Sequence, residues 1–162
     1  RGLSVPVIVK EVGWGVSAAS ARQLASAGVA AIDVAGAGGT SWSQVEMHRA
    51  ETARQRGVAA AFVGWGIPTA ESIQQVRAAA PDVQVIASGG LRDGVDVAKC
   101  LALGASLCGF AGPLLRAADL GPDEVVDKLA ELKATLRIAM FATGSGSIEG
   151  LRVGATIAPL SF

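Results

Sequence analysis

Two glycine-rich stretches carry the residue types that hold a phosphate. In ASGGLRDG (87–94) a glycine pair, Gly89 and Gly90, follows an apolar run. Backbone N–H groups there can approach an anion closely, and the next helix aims its amino end at the same place. Arg92 offers a charge-assisted contact. GFAGPLL (109–115) repeats the arrangement one unit later, with Gly112 before Pro113. Tight turns alone would also explain these glycines, but two such stretches in consecutive units favour the phosphate reading. A further charge stands in VPVIVKEVGWG (5–15), where Lys10 ends a run of Val and Ile. Alternation puts Ile8, Lys10 and Val12 on one face and Val7, Val9 and Glu11 on the other. If both faces are buried, the ammonium needs a partner, and a bound cofactor is the partner expected, with a surface lysine on an edge strand as the less favoured alternative.

Other groups are more ambiguous. Asp33 lies inside an apolar run, where a structural hydrogen-bonding role competes with chemistry. Glu11 is expected to pair with a neighbouring cation. Thr40 and Ser41, in GAGGTSW (36–42), place hydroxyls where they could meet a ligand or belong to a lid. Trp14 and Trp65 adjoin glycines and Trp42 closes the glycine-rich GAGGTSW, as pocket walls or as packing under a loop. The single histidine, His48, reads as a solvated helix residue. Cys100 and Cys108 lack metal-ligand spacing and read as small buried hydrophobes, so no metal site is expected from these residues.

The elements that must position these groups alternate strand and helix. VPVIVKEV is a strand, and the helix after it has Ser17 as N-cap and Gly28 as its stop. AAIDVAG is the second strand. A long irregular stretch, 37–57, then suggests function or a lid. AAFVGWGIPT (60–69) is expected to hold a short buried piece, with Thr69 capping the next helix. VQVIASGG and LCGFAG are the third and fourth strands. Between them runs a helix with Asp93 as N-cap and Gly104 as stop. GPDEVVDKLAELKATLRIAMFATG is a long amphipathic helix with Pro122 near its start and Gly144 beyond its end. Residues 145–162 read as an irregular tail. Such alternation means a parallel sheet under helices, either doubly wound or a (β/α)8 barrel. Every strand ends in small residues, at the end where a barrel keeps its chemistry. Four units are half a barrel, and a whole one takes roughly 250 residues.

With 162 residues, 51% of them hydrophobic, and a formal net charge of zero, the chain is globular. Nothing suggests nucleic acid as a partner, and no apolar run spans a bilayer. A cytoplasmic setting is the default, without a visible signal peptide.

PVIVKEVGWG, GVAAIDVAGAGGTSW, GWGIPTAESI, IASGGLRDGVDVAKCLALGA and GFAGPLL, in this order, resemble the type 2 isopentenyl-diphosphate isomerases, as does LRIAMFATGS. The resemblance runs from about Val5 to Ile148 and implies the last four units of an FMN-binding TIM (β/α)8 barrel. It implies interconversion of isopentenyl and dimethylallyl diphosphate, with reduced FMN as acid and base, NADPH as reductant and Mg2+ on the substrate diphosphate. Lys10 matches a lysine at the flavin ring, and Thr40 a residue near it. Gly89, Gly90, Leu91 and Arg92, with Ala111 and Gly112, match the segments that hold the FMN phosphate. Ala35 falls where some members have serine. The catalytic proton donor has no assigned residue, and the Mg2+ ligand is expected in an amino-terminal half-barrel with no counterpart here. That half would be a partner, alongside a homo-oligomer, tetramer or octamer. SGGLRDG alone is shared with α-hydroxy-acid oxidases, the first alternative; a half-barrel that only binds a phosphorylated ligand is the second.

Overall fold

The structure, a computed structural model, describes residues 3–154. Four strands form one parallel sheet: β1 (Ile8–Lys10), β2 (Ala31–Asp33), β3 (Gln84–Ala87) and β4 (Leu107–Cys108), in the order β1-β2-β3-β4. This order separates the two architectures. A doubly wound sheet reverses direction at a switch point, whereas each strand of a β/α barrel pairs with the next. The chain is a run of barrel units.

The helices are α1 (Ala18–Ala27), α2 (Trp42–Arg49), α3 (Ala53–Ala60), α4 (Thr69–Ala79), α5 (Gly94–Ala102), α6 (Gly112–Ala118), α7 (Pro122–Ala142) and α8 (Ile148–Gly154). Their ends obey local chemistry. Ser17 accepts from the Ser20 N–H, and Gly28 stops α1 in a left-handed conformation, φ 85°. Asp93 accepts from the N–H groups of Val95 and Asp96 at 2.9 and 3.0 Å, which starts α5. Ile32, Val34 and Val85 meet Ala21, Ile73, Val76 and Cys100 in the main core, between the sheet and α1, α4 and α5. Ser72 is fully buried there, but its hydroxyl both accepts from Val16 N–H and donates to Val16 C=O, leaving nothing unpaired.

Five expectations change. The stretch 37–57 is not irregular but contains α2 and most of α3. Its hydrophobic spacing is weak, yet Ser41 caps α2, and Thr52 with Gln55 forms a capping box for α3. The supposed buried piece at 60–69 is a series of turns, with Phe62, Val63 and Trp65 exposed. Thr69 is the first residue of α4, not its cap; its hydroxyl instead donates to Gly89 C=O at 2.6 Å. Within 145–162, α8 forms and buries Leu151 against Ala98 and Leu101 of α5; residues 155–162 lie outside the described residues. β1 also departs from burial on both faces. As an edge strand it has one neighbour, and Val7 and Ile8 are exposed, as is Leu107 on β4 at the other edge.

Candidate functional site

The carboxyl ends of all four strands open into one cleft of about 540 Å³, within the range of small-molecule sites. Lys10, Ala35, Thr40, Gly89, Gly90, Leu91, Arg92, Ala111 and Gly112, singled out from the sequence, all line it. Parallel pairing causes this gathering, because it brings the ends of successive strands to one side of the sheet.

At the floor is a polar network. Lys10 Nζ lies 3.5 Å from Asp33 Oδ2 and donates to Glu11 C=O at 3.0 Å and weakly to Ser88 Oγ at 3.4 Å. Ser88 Oγ donates to Asp33 Oδ1 at 2.6 Å, and Ala35 N–H adds a bond at 3.2 Å. Asp33 is nearly buried while the Lys10 side chain is 56% exposed. The carboxylate is therefore the fixed part, and the ammonium is held over it, facing the cleft. Ala35, with φ 33°, is the one non-glycine residue at positive φ among those described, a strained backbone at the cleft wall. Glu11 pairs with no described cation. Its Oε2 accepts the N–H groups of Val12, Gly13 and Trp14 at 2.6–2.8 Å and fixes the loop leaving β1.

The rim is made by the two glycine-rich loops. A Cβ on Gly89 would overlap the Gly36 backbone, and one on Gly90 would overlap Gly38. These glycines let two loops touch, so loop packing, not a phosphate, accounts for their lack of side chains. Their N–H groups remain informative. None of the backbone N–H groups of Gly89, Gly90, Leu91, Ala111 and Gly112 is engaged by another described residue. Ala111, the residue before α6, supplies no side-chain cap, and a Cβ on Gly112 would meet only Arg116 Nη1, at 3.7 Å. Unengaged donors on both loops, at one cleft, suit an anion.

Arg92, expected to contact a phosphate, instead pairs with Asp96 through Nε at 3.1 Å, while its N–H donates to the same carboxylate at 3.2 Å. The cation beside the free donors is Arg116, which has no ion-pair partner among the described residues. Sequence reasoning missed both Arg116 and Ser88. The signal for Arg116 was a basic residue one turn after Gly112; Ser88 stood unremarked in ASGG. His48 is exposed on α2 and does not line the cleft. Trp14 and Trp42 wall a separate, open hollow between the β1 loop and the α2–α3 pair. Among the described residues no cluster of three metal-ligating side chains occurs, and no helix is long and apolar enough to cross a membrane.

Burial pushes the Asp96 carboxyl up, but the Arg92 bonds and charge, with Lys99, outweigh it and hold the group below its ordinary 3.8. A depressed folded value contributes stability that is present above 3.8 and is lost as pH falls through the folded value. Denaturant stability should therefore drop below about pH 4, and more gently in Asp96→Asn. Equal slopes in the two proteins would refute this contribution.

A family model described as FMN-dependent dehydrogenase matches residues 1–157. The isopentenyl-diphosphate delta-isomerase of Xanthobacter autotrophicus is 55% identical over 150 residues, 93% of this chain and 43% of its own length. That of a Synechococcus species is 58% identical over 158 residues, 97% of this chain and 45% of its own length. The chain thus spans less than half the length of these curated relatives. Among solved structures, mandelate oxidase with benzoyl-formic acid superposes with TM-score 0.66 at 28% identity, over 93% of this chain and 38% of that one. A mandelate oxidase variant bearing a monooxide FMN adduct gives 0.67 at 28% identity, over 93% and 41%.

Proposed function

The chain belongs to the FMN-dependent dehydrogenase family, and from that membership we propose that it forms the flavin-phosphate side of an isopentenyl-diphosphate isomerase. The observation that carries the reading is the single cleft at the strands' carboxyl ends, where Lys10 faces unengaged N–H groups of both glycine-rich loops. These residues fit FMN. The N–H groups of Gly89, Gly90, Leu91, Ala111 and Gly112 would take its phosphate, with Arg116 adding charge. Lys10, steadied by Asp33 and Ser88, would set a cation at the isoalloxazine ring, with Ala35 and Thr40 along the wall. When bound in its reduced form, FMN would supply the acid and base that move a proton on and off the allylic carbons without net redox change. The network of Asp33 and Ser88 then has one task, to hold the Lys10 ammonium in place over the cleft.

NADPH as reductant, Mg2+ on the substrate diphosphate, a cytoplasmic setting and a homo-oligomer belong to the same proposal. The exposed edges of β1 and β4 are read as places where further β/α units pair. The identities of 55–58% to isomerases favour this substrate over a 2-hydroxy acid. So does the position of His48, because hydroxy-acid oxidation needs a histidine base at the cleft.

The test is the full-length protein with FMN, NADPH and Mg2+ under anaerobic conditions, given isopentenyl diphosphate. Formation of dimethylallyl diphosphate that requires reduced flavin is expected. Oxidation of 2-hydroxy acids without isomerisation would transfer the site to the oxidases. Flavin binding without turnover of either substrate would leave a phosphate-binding barrel.

A further inference from the structure

The cysteines take no part in that chemistry, and they are neighbours. Cys100 is buried on α5, and Cys108 is half-buried on β4. Cys108 packs against the same core cluster that contains Cys100. The Cys108 Sγ lies 4.0 Å from the C=O of Val97, one turn before Cys100 on α5. In a helix, residues three apart share a face, so this sulfur sits against the face that carries Cys100. We propose that Cys100 and Cys108 are a reactive thiol pair that a peroxide converts to an intramolecular disulfide.

Each thiol shifts the other: the neighbouring Cys108 pulls the Cys100 thiol below its usual value although burial opposes it, and Cys100 together with burial pushes Cys108 up. Of the two, Cys100 is thus the more readily ionised, and it acts as the nucleophile. Its sulfur attacks one peroxide oxygen and the O–O bond breaks. Hydroxide leaves and takes up a proton as water, and Cys100 becomes a sulfenic acid. The Cys108 sulfur then attacks Cys100 Sγ, losing its proton as the S–O bond breaks, and a second water departs. Two thiols are oxidised, one hydrogen peroxide is reduced, and two waters form.

The bond would join segments that lead directly to the cleft. α5 starts just after the 89–92 loop, and β4 runs straight into Gly109–Gly112. Drawing the sulfurs together therefore acts on both glycine-rich loops at once.

The proposal does not depend on the flavin reading, and its test needs no substrate. Full-length protein is treated with a small excess of hydrogen peroxide, alkylated in denaturant and digested with trypsin. Cleavage after Lys99 and Arg116 leaves both cysteines on one peptide, 100–116. The expected result is that this peptide becomes lighter by two hydrogens, resists alkylation and reverts with dithiothreitol. In Cys108→Ala the lighter species should vanish and Cys100 should collect oxygen atoms instead. Overturning results are two thiols that both remain alkylatable, or a wild-type peptide that gains oxygens on each sulfur without the two-hydrogen loss.

Discussion

Gly89→Ala is expected to destabilise the fold by about 2–5 kcal/mol, from overpacking against backbone and the cost of a left-handed alanine. Gly89 has φ 104°, and its added Cβ would overlap the Gly36 backbone and lie 2.9 Å from Thr69 Oγ1. Neither neighbour can yield. Gly36 is buried in the loop just past β2, and Thr69 starts α4 with its hydroxyl bonded to Gly89 C=O. Relief requires the 36–39 and 88–90 loops to part, which dismantles the cleft floor. Equilibrium unfolding in denaturant measures the loss. Gly57→Ala is the control, because that glycine lies in α3 with nothing within 4 Å of its would-be Cβ. It should be neutral or stabilising by about 0.5–1 kcal/mol. A Gly89→Ala protein as stable as this control would refute the account of the loop contact.

On the proposed function, Lys10→Met in the full-length protein should leave stability almost unchanged and yet lower turnover in the isomerase assay by about a hundredfold, the usual scale for removing one preorganised electrostatic group. The side chain is 56% exposed, so its ion pair with Asp33 contributes little to folding. Asp33 keeps its bonds from Ser88 and Ala35 after the change, so no buried carboxylate is orphaned. What is lost is the one cation on the cleft floor. Flavin titration and steady-state rates, measured beside an unfolding curve, separate the two effects. A variant with unaltered flavin affinity and unaltered turnover would remove Lys10 from the site. Loss of activity with loss of fold would show instead that the lysine is structural.

Much of this arrangement is written locally in the chain. Ser17 and Gly28 bracket α1, and Asp93 starts α5, because a cap needs only its own few residues. The strand–helix alternation is likewise local, and so is the run of small residues after each strand. The resemblance carried by GGLRDG and GFAG pointed to residues that do meet at one cleft. Where the hydrophobic signal was weak, as in α2 and α3, the Thr52–Gln55 capping box was the available clue.

Other features have causes that are distant in sequence. The order β1-β2-β3-β4 is a property of pairing between strands, which alternation alone does not specify. Gly89 and Gly90 owe their identity to a loop about fifty residues earlier, so no local reading could separate packing from phosphate binding. Arg92 turns to Asp96 and leaves Arg116 as the cation beside the free N–H groups, a choice made by helix geometry and charge proximity. Asp33, Ser88 and Lys10 come from three strand ends and become one network only because parallel strands deliver their carboxyl ends to the same side. The sequence by itself determined which residue types were available for the site. The tertiary structure decided which of them touch, because contact across the sheet depends on register, and register is set by the packing of the whole.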